Sequence, residues 1–133
     1  MEKTPIKQIM TRQVITLEPD DKILDHIEIF NEHRIHHVPV VSPEDGEIVG
    51  MVSNRDFENY ANIHRILQGK DTPVRVKDIM TTPIFAYDED VTVKAAAEAM
   101  IDNHIHSIAV VDKNEKLCGI LTSTDLLRLI AMT

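Results

Sequence analysis

Two sets of side chains in this sequence have types that could do chemistry. The first is the histidines and a lone cysteine; the second is a pair of hydroxyl residues, each followed three positions later by an aspartate. Of seven histidines, His33, His36 and His37 fall in one stretch and His104 and His106 in another. Neutral imidazoles could converge on a divalent ion. However, neither a second cysteine nor a carboxylate at ligand spacing accompanies them, so no metal site is expected. Cys118 lies in the apolar run Leu117 to Leu121 with no histidine or aspartate at motif spacing. It reads as a small buried hydrophobe rather than a nucleophile. With no paired carboxylates, nucleophile and base, or glycine-rich phosphate loop, the sequence does not predict an enzyme.

The second set is Gly50-Met51-Val52-Ser53-Asn54-Arg55-Asp56 and Gly119-Ile120-Leu121-Thr122-Ser123-Thr124-Asp125. Read locally, each is a strand-to-helix junction. Ser53 or Thr122 caps the helix and the aspartate sits in its first turn. That the motif occurs twice calls for a wider comparison. An offset of 70 positions, the step from Ile6 to Val76, sets Ile6-Lys7-Gln8-Ile9-Met10-Thr11 beside Val76-Lys77-Asp78-Ile79-Met80-Thr81. It also sets His33-Arg34-Ile35-His36-His37-Val38-Pro39-Val40-Val41 beside Asn103-His104-Ile105-His106-Ser107-Ile108-Ala109-Val110-Val111. One residue dropped in the next turn brings the two Gly-to-Asp motifs into line. Two long copies exclude a solenoid of short repeats and indicate a pseudo-twofold pair.

Each copy predicts the same elements. Val14 to Leu17 and Ile84 to Tyr87 are short extended stretches, with Pro83 at the start of the second. Ile23, Leu24, Ile27 and Phe30, and then Val93, Ala96, Ala97, Met100 and Ile101, fall at helical spacing and should face a core. Asp20 or Asp21, and Asp90 or Thr92, are the candidate caps. The β-branched runs Val38–Val41 and Ile108–Val111 predict buried strands. Turns at Pro43–Gly46 and Asp112–Glu115 lead into the partners Ile48–Ser53 and Leu117–Thr122. A last helix follows in each copy, from Asn54 through Leu67 to a stop at Gly69, and from Ser123 through Met132. The order is β-α-β-β-α twice, joined by the polar linker Gly69-Lys70-Asp71-Thr72-Pro73.

Composition narrows the partners. The 133 residues are 43% hydrophobic and 27% charged, enough for a real core. With 22 acidic against 14 basic residues the net charge is -8, which argues against nucleic acid, whose binders present a basic face. The start Met1-Glu2-Lys3-Thr4-Pro5 lacks the form of a signal peptide and no apolar run approaches a membrane span, so a cytoplasmic protein without membrane contact is expected. A single cysteine makes no demand for an oxidising compartment.

The Ile-Met-Thr openings, the Pro39-Val40-Val41 strand after a histidine pair, the Gly-x-x-Ser/Thr-x-x-Asp motifs and the spacing together resemble the tandem CBS domain pair, or Bateman module. The resemblance covers Ile6 to about Ile130. It implies an α/β (α+β) fold of two β-α-β-β-α repeats with pseudo-twofold symmetry, packed through their sheets. CBS domain 1 would span 1–68, the linker 69–75 and CBS domain 2 76–133, with no appended catalytic domain. It also implies two clefts that take an adenosine compound, AMP, ADP or ATP, or else S-adenosylmethionine.

Carried over residue by residue, the family's ribose position falls on Asp56 and Asp125 and its hydroxyl position on Ser53 and Thr122, with Arg55 adding charge to the first motif only. A carboxylate suits that role because its two oxygens can take both ribose hydroxyl protons. The resemblance draws each site from both copies. One cleft would use Ile15, Ile35 and Pro39 as its adenine slot, with His106, Thr122 and Asp125. The other would use Phe85, Ile105 and Ala109, with His36, Ser53, Arg55 and Asp56. Many relatives carry arginine where this chain has His36-His37 and His106-Ser107. Histidine, with a reference pKa of ~6.5, holds phosphate more weakly or in a pH-dependent way.

The function so implied is a non-catalytic sensor that signals by a shift of conformation. The alternative is a ligand-free module that only dimerises or docks on an enzyme or transporter. A homodimer is implied, with Leu126, Leu127, Ile130, Ile63 and Ile66 as its interface and Met100 and Met132 as core or contact fillers.

Overall fold

The computed structural model describes residues 3–66, 74–82 and 84–133. The predicted linker at Gly69–Pro73, the helix end at Leu67–Gly69 and Pro83 lie outside the described residues. The chain divides into two compact units: a contiguous one, Ile15–Pro83, and a split one, Met1–Val14 with Ile84–Thr133.

The contiguous unit begins with a 3-10 turn at Ile23–His26 and a short helix α1 (Ile29–His33). Strands β1 (His37–Val41) and β2 (Ile48–Ser53), helix α2 (Asn54–Ile66) and one helical turn, α3 (Val76–Ile79), follow. β1 and β2 pair antiparallel, with His37 opposite Ser53 and Val40 opposite Gly50. Their turn closes through Ser42 N–H to the Glu47 carbonyl at 2.8 Å, with Gly46 at φ 74°, where glycine carries no steric penalty. The split unit holds a 3-10 turn at Ile6–Gln8, β3 (Ala86–Asp88), α4 (Val93–Asn103), β4 (Ser107–Val111), β5 (Leu117–Thr122) and α5 (Ser123–Ala131). β3 runs parallel to β4, and β4 antiparallel to β5.

From Ile84 onwards the split unit carries the full predicted β-α-β-β-α order. The contiguous unit lacks the first strand: Leu17 alone bridges to Val40. Its N–H donates to the Pro39 carbonyl at 3.1 Å, and its carbonyl accepts from Val41 N–H at 2.8 Å. The cause is Pro39. In the split unit the equivalent residue, Ala109, donates its N–H to the Phe85 carbonyl at 3.0 Å. Proline has no N–H to offer at that rung, so the parallel ladder shortens to one bridge.

The first helix also differs from its prediction. α4 is continuous, built on Ala95, Ala96, Ala97 and Ala99, with the Thr92 hydroxyl accepting from Ala95 N–H at 3.2 Å. Its counterpart is broken into a 3-10 turn and α1, for two reasons. It carries Ile23, Ile27 and Ile29, with Asp25 and His26, all poorer helix formers than alanine. Neither predicted aspartate caps it: Asp21 Oδ2 accepts Glu18 N–H at 2.8 Å one turn earlier, Asp20 pairs with Lys77, and Lys22 stands at the cap without a side-chain acceptor. Two expected core positions are exposed as a result of helix geometry. Leu24 follows buried Ile23 around the tight turn, and Ile101 lies past the edge of the stripe formed by Val93, Ala96 and Met100.

Each unit has its own core. Leu17, Ile23, Phe30, Val38, Val40, Val52, Phe57 and Val76 pack in the contiguous unit, where the Phe30 and Phe57 rings meet edge to face at 5.0 Å. Ile6, Met10, Val93, Ala96, Ile108, Val110 and Leu121 pack in the split unit. Each fully buried aliphatic or aromatic side chain contributes about 1.5–3 kcal/mol.

Ile6 and Val76 mark an exchange. The opening of each repeat docks on the body of the other repeat. Ile6 N–H donates to Val91 O at 2.8 Å and Val93 N–H to Thr4 O at 2.7 Å; likewise Val76 N–H donates to Asp21 O at 2.9 Å and Ile23 N–H to Val74 O at 3.3 Å. Thr11 exchanges both backbone bonds with Ile120, and Thr81 does so with Met51. The repeats drawn from the sequence are thus units of duplication, whereas the compact units are cut at 14/15 and 83/84.

Candidate functional site

The Gly-to-Asp motifs sit where the hairpins hand over to α2 and α5. In the contiguous unit, Ser53 N–H donates to Asp56 Oδ2 at 2.9 Å, and Asp56 N–H donates to Ser53 Oγ at 3.1 Å. In the split unit, Thr122 N–H donates to Asp125 Oδ2 at 2.9 Å, and Asp125 N–H donates to Thr122 Oγ1 at 3.4 Å. Both are reciprocal caps that satisfy the free N–H groups of a helix start. The local reading of the motif as a strand-to-helix junction therefore holds in both copies.

The caps leave the two carboxylates in different states. Asp125 is 5% exposed. Besides the cap bonds, its Oδ2 accepts the Thr122 hydroxyl at 3.2 Å, and its Oδ1 accepts from Thr11 Oγ1 and Arg128 Nη1, each at 3.4 Å. Asp56 is half-buried, and its Oδ1 has no hydrogen-bond partner among the described residues.

The histidine pairs are brought to these motifs by the backbone. Asn54 N–H donates to His36 O at 2.9 Å, and Ser123 N–H to His106 O at 3.0 Å. At this junction the contiguous unit has an open pocket of about 420 Å³ lined by His36, His37, Ser53, Asn54, Arg55 and Glu58. His36, Ser53, Arg55 and Asp56 are therefore gathered in one unit, as are His106, Thr122 and Asp125 in the other. Of the slot residues, Ile15, Ile35 and Pro39 belong to the contiguous unit and Phe85, Ile105 and Ala109 to the split unit. Pro39 and Ala109 are buried, Ile15, Ile35 and Ile105 half-buried, and Phe85 exposed. The lining offers hydroxyl, amide, imidazole and guanidinium groups together with the Glu58 carboxylate, and Asp56 adjoins it through its bonds to Ser53.

The sequence profile of the CBS domain matches residues 6–62 and again residues 76–132. The chain belongs to the CBS domain family. Among similar proteins, inosine-5'-monophosphate dehydrogenase of Methanocaldococcus jannaschii is 31% identical over 91% of this chain but only 22% of its own length. The CBS domain-containing protein YhcV of Bacillus subtilis is 29% identical over 91% of this chain and 81% of its own. Among solved structures, the CBS domain pair of protein MJ0100 in complex with 5'-methylthioadenosine and S-adenosyl-L-methionine superposes with a TM-score of 0.80. It is 29% identical, with 97% of each chain covered.

This CBS pair contains contacts that reading along the sequence did not find. A Cβ placed on Gly119 would lie 2.5 Å from Met10 Sδ and 3.0 Å from the Thr11 carbonyl; one on Gly50 would lie 2.5 Å from Met80 Sδ. The glycine of each Gly-to-Asp motif is therefore the seat of a methionine from the Ile-Met-Thr opening of the other repeat. The two motifs were visible as separate repeats, and only the exchange of openings shows that each needs the other. Thr11 on Asp125 was missed for the same reason, whereas Arg128, three positions on along α5, lay within reach of a local reading.

Cys118 is half-buried in β5 against the split unit's core and donates to Glu89 Oε2 at 3.6 Å. Burial and the adjacent Glu89 carboxylate push its thiol up to about 11. Such a thiol is protonated at neutral pH and a poor nucleophile. Among the described residues no three histidine, cysteine, aspartate or glutamate side chains are grouped to hold a metal ion, and no helix is long and apolar enough to cross a membrane.

Proposed function

We propose that this CBS pair is a regulatory module, without catalysis of its own, that binds an adenosine compound and passes the binding on as a change of conformation. AMP, ADP and ATP are the ligands named by the sequence reading, with S-adenosylmethionine as the alternative. The observation that carries the proposal is the pocket lined by His36, Ser53 and Arg55, whose Ser53 is bonded to Asp56, a half-buried carboxylate with no partner on Oδ1 among the described residues. The binding of 5'-methylthioadenosine and S-adenosyl-L-methionine by the MJ0100 pair, at 29% identity over nearly the whole chain, supports the same ligand class. Isothermal titration calorimetry with AMP, ATP and S-adenosylmethionine tests the proposal. Heat of binding from at least one of the three is expected, and flat titrations with all three would sink it.

A role in assembly is supported by a separate observation. Ile63 and Ile66 on α2, and Leu127 and Ile130 on α5, are all more than half exposed. Large apolar side chains on an outer helix face mark an interaction surface, and a homodimer through these helices is the proposed occupant. Sedimentation velocity should give a dimer that Ile66→Glu and Leu127→Glu together dissociate; a wild-type monomer would exclude it.

A further inference from the structure

The charges around the cavity discriminate among adenosine compounds. Its lining has one permanent cation, Arg55, and one carboxylate, Glu58, both exposed and without an ion-pair partner among the described residues. Asp56, joined to Ser53 by the reciprocal cap, places a second carboxylate beside it. The amino end of α2 adds roughly half a positive charge. The cationic side of this balance suits a single phosphate. Every further phosphate meets Glu58 and Asp56, on a chain whose net charge of -8 already repels anions. A ribose diol, by contrast, donates to a carboxylate and gains from Asp56.

We infer that this half-site selects adenosine compounds bearing no more than one phosphate, and that Glu58 is the residue that turns polyphosphates away. The inference rests on the adenosine reading above and narrows it. Asp56 is needed for the nucleoside and cannot be changed without losing the ligand. Glu58 lies on the exposed side of α2 two residues further on, so its effect is separable by mutation.

The test is calorimetry of the full chain, at low salt and without magnesium, with 5'-methylthioadenosine, AMP and ATP as probes, on wild type and Glu58→Gln. The titrations are run at about pH 8. The expected order places methylthioadenosine and AMP about tenfold or more tighter than ATP. Glu58→Gln should tighten ATP about threefold to tenfold and leave the uncharged methylthioadenosine unchanged. ATP binding as tightly as AMP to the wild type would overturn the inference, as would a Glu58→Gln effect equal for all three probes. No heat with any probe would remove the adenosine reading itself and this inference with it.

Discussion

Asp56 and Asp125 occupy the same place in two copies of one motif, yet only Asp125 is used up by the fold. Its carboxylate is buried, caps α5 and takes the Thr11 and Arg128 side chains on its second oxygen. Asp56 caps α2 through Oδ2 and keeps Oδ1 without a hydrogen-bond partner among the described residues. A helix cap needs one carboxylate oxygen, so a duplicated cap leaves the other oxygen available in each copy. What differs is the neighbours: Thr11 and Arg128 reach the split unit's aspartate, and Arg55 and Glu58 flank the contiguous unit's cavity. One carboxylate is fully engaged by its surroundings and the other keeps an oxygen without a partner among the described residues.

Removing the carboxylates should expose that division most strongly. Asp125→Ala strands the half-buried Thr122 N–H and empties the buried carboxylate site that also takes the Thr11 hydroxyl and Arg128. It should cost about 3 kcal/mol, whereas Asp56→Ala, losing a half-exposed cap, should cost about 1 kcal/mol. Urea denaturation of the two variants measures this, and equal losses would break the comparison.

The glycine seats come next. Alanine at Gly50 asks only the flexible Met80 side chain to move, but alanine at Gly119 also presses on the Thr11 backbone carbonyl. Gly119→Ala should cost about 2–3 kcal/mol and Gly50→Ala about 1 kcal/mol. The sulfur contacts also predict that Met10→Ala and Gly119→Ala are not additive when combined, because each relieves or removes the other's contact.

A smaller effect separates the chemistry of Cys118 from that of a reactive thiol. With its pKa near 11, alkylation by iodoacetamide should be slow at pH 8 and rise about tenfold per pH unit until that value is passed. A rate that levels off near pH 8.5 would contradict the burial argument.

Smallest of all is the exposed network of the split unit. Lys113 bridges Asp88 and Asp90 at 2.7 and 2.8 Å, and Lys7 reaches Asp90 at 2.8 Å. These lysines hold Asp90 down to about 2. A depressed carboxylate stabilises the fold above its unfolded pKa of 3.8, and that contribution is lost as the pH falls toward 2. Lys113→Met should remove a small, salt-sensitive part of stability at pH 5 and none in high salt.

Much of this was legible along the chain. The hairpins, the junctions and the start of the last helix in each copy follow from β-branched runs, turn residues and capping side chains, all of which act within a few positions. Proline at position 39 was also visible, but its consequence, the loss of the first strand, requires knowing that Leu17 and its neighbours pair with β1. The broken helix at Ile23–His33 was masked by apolar spacing that looks the same for a helix and for a 3-10 turn followed by one. At the site, the residue types and the repeat pointed to Ser53, Asp56, Thr122 and Asp125. The inequality of the two aspartates depends on Thr11, 114 positions from Asp125, and no local pattern carries that.

The central claim is that Asp56 anchors the ligand and Asp125 mainly the fold. The most direct measurement is a calorimetric titration of AMP into Asp56→Asn and Asp125→Asn, with the melting temperature of each variant recorded alongside. The account predicts that Asp56→Asn loses at least about tenfold in affinity while melting close to wild type, and that Asp125→Asn melts lower and keeps a site of near wild-type affinity. Undiminished binding by Asp56→Asn, or binding lost only in Asp125→Asn, would contradict it.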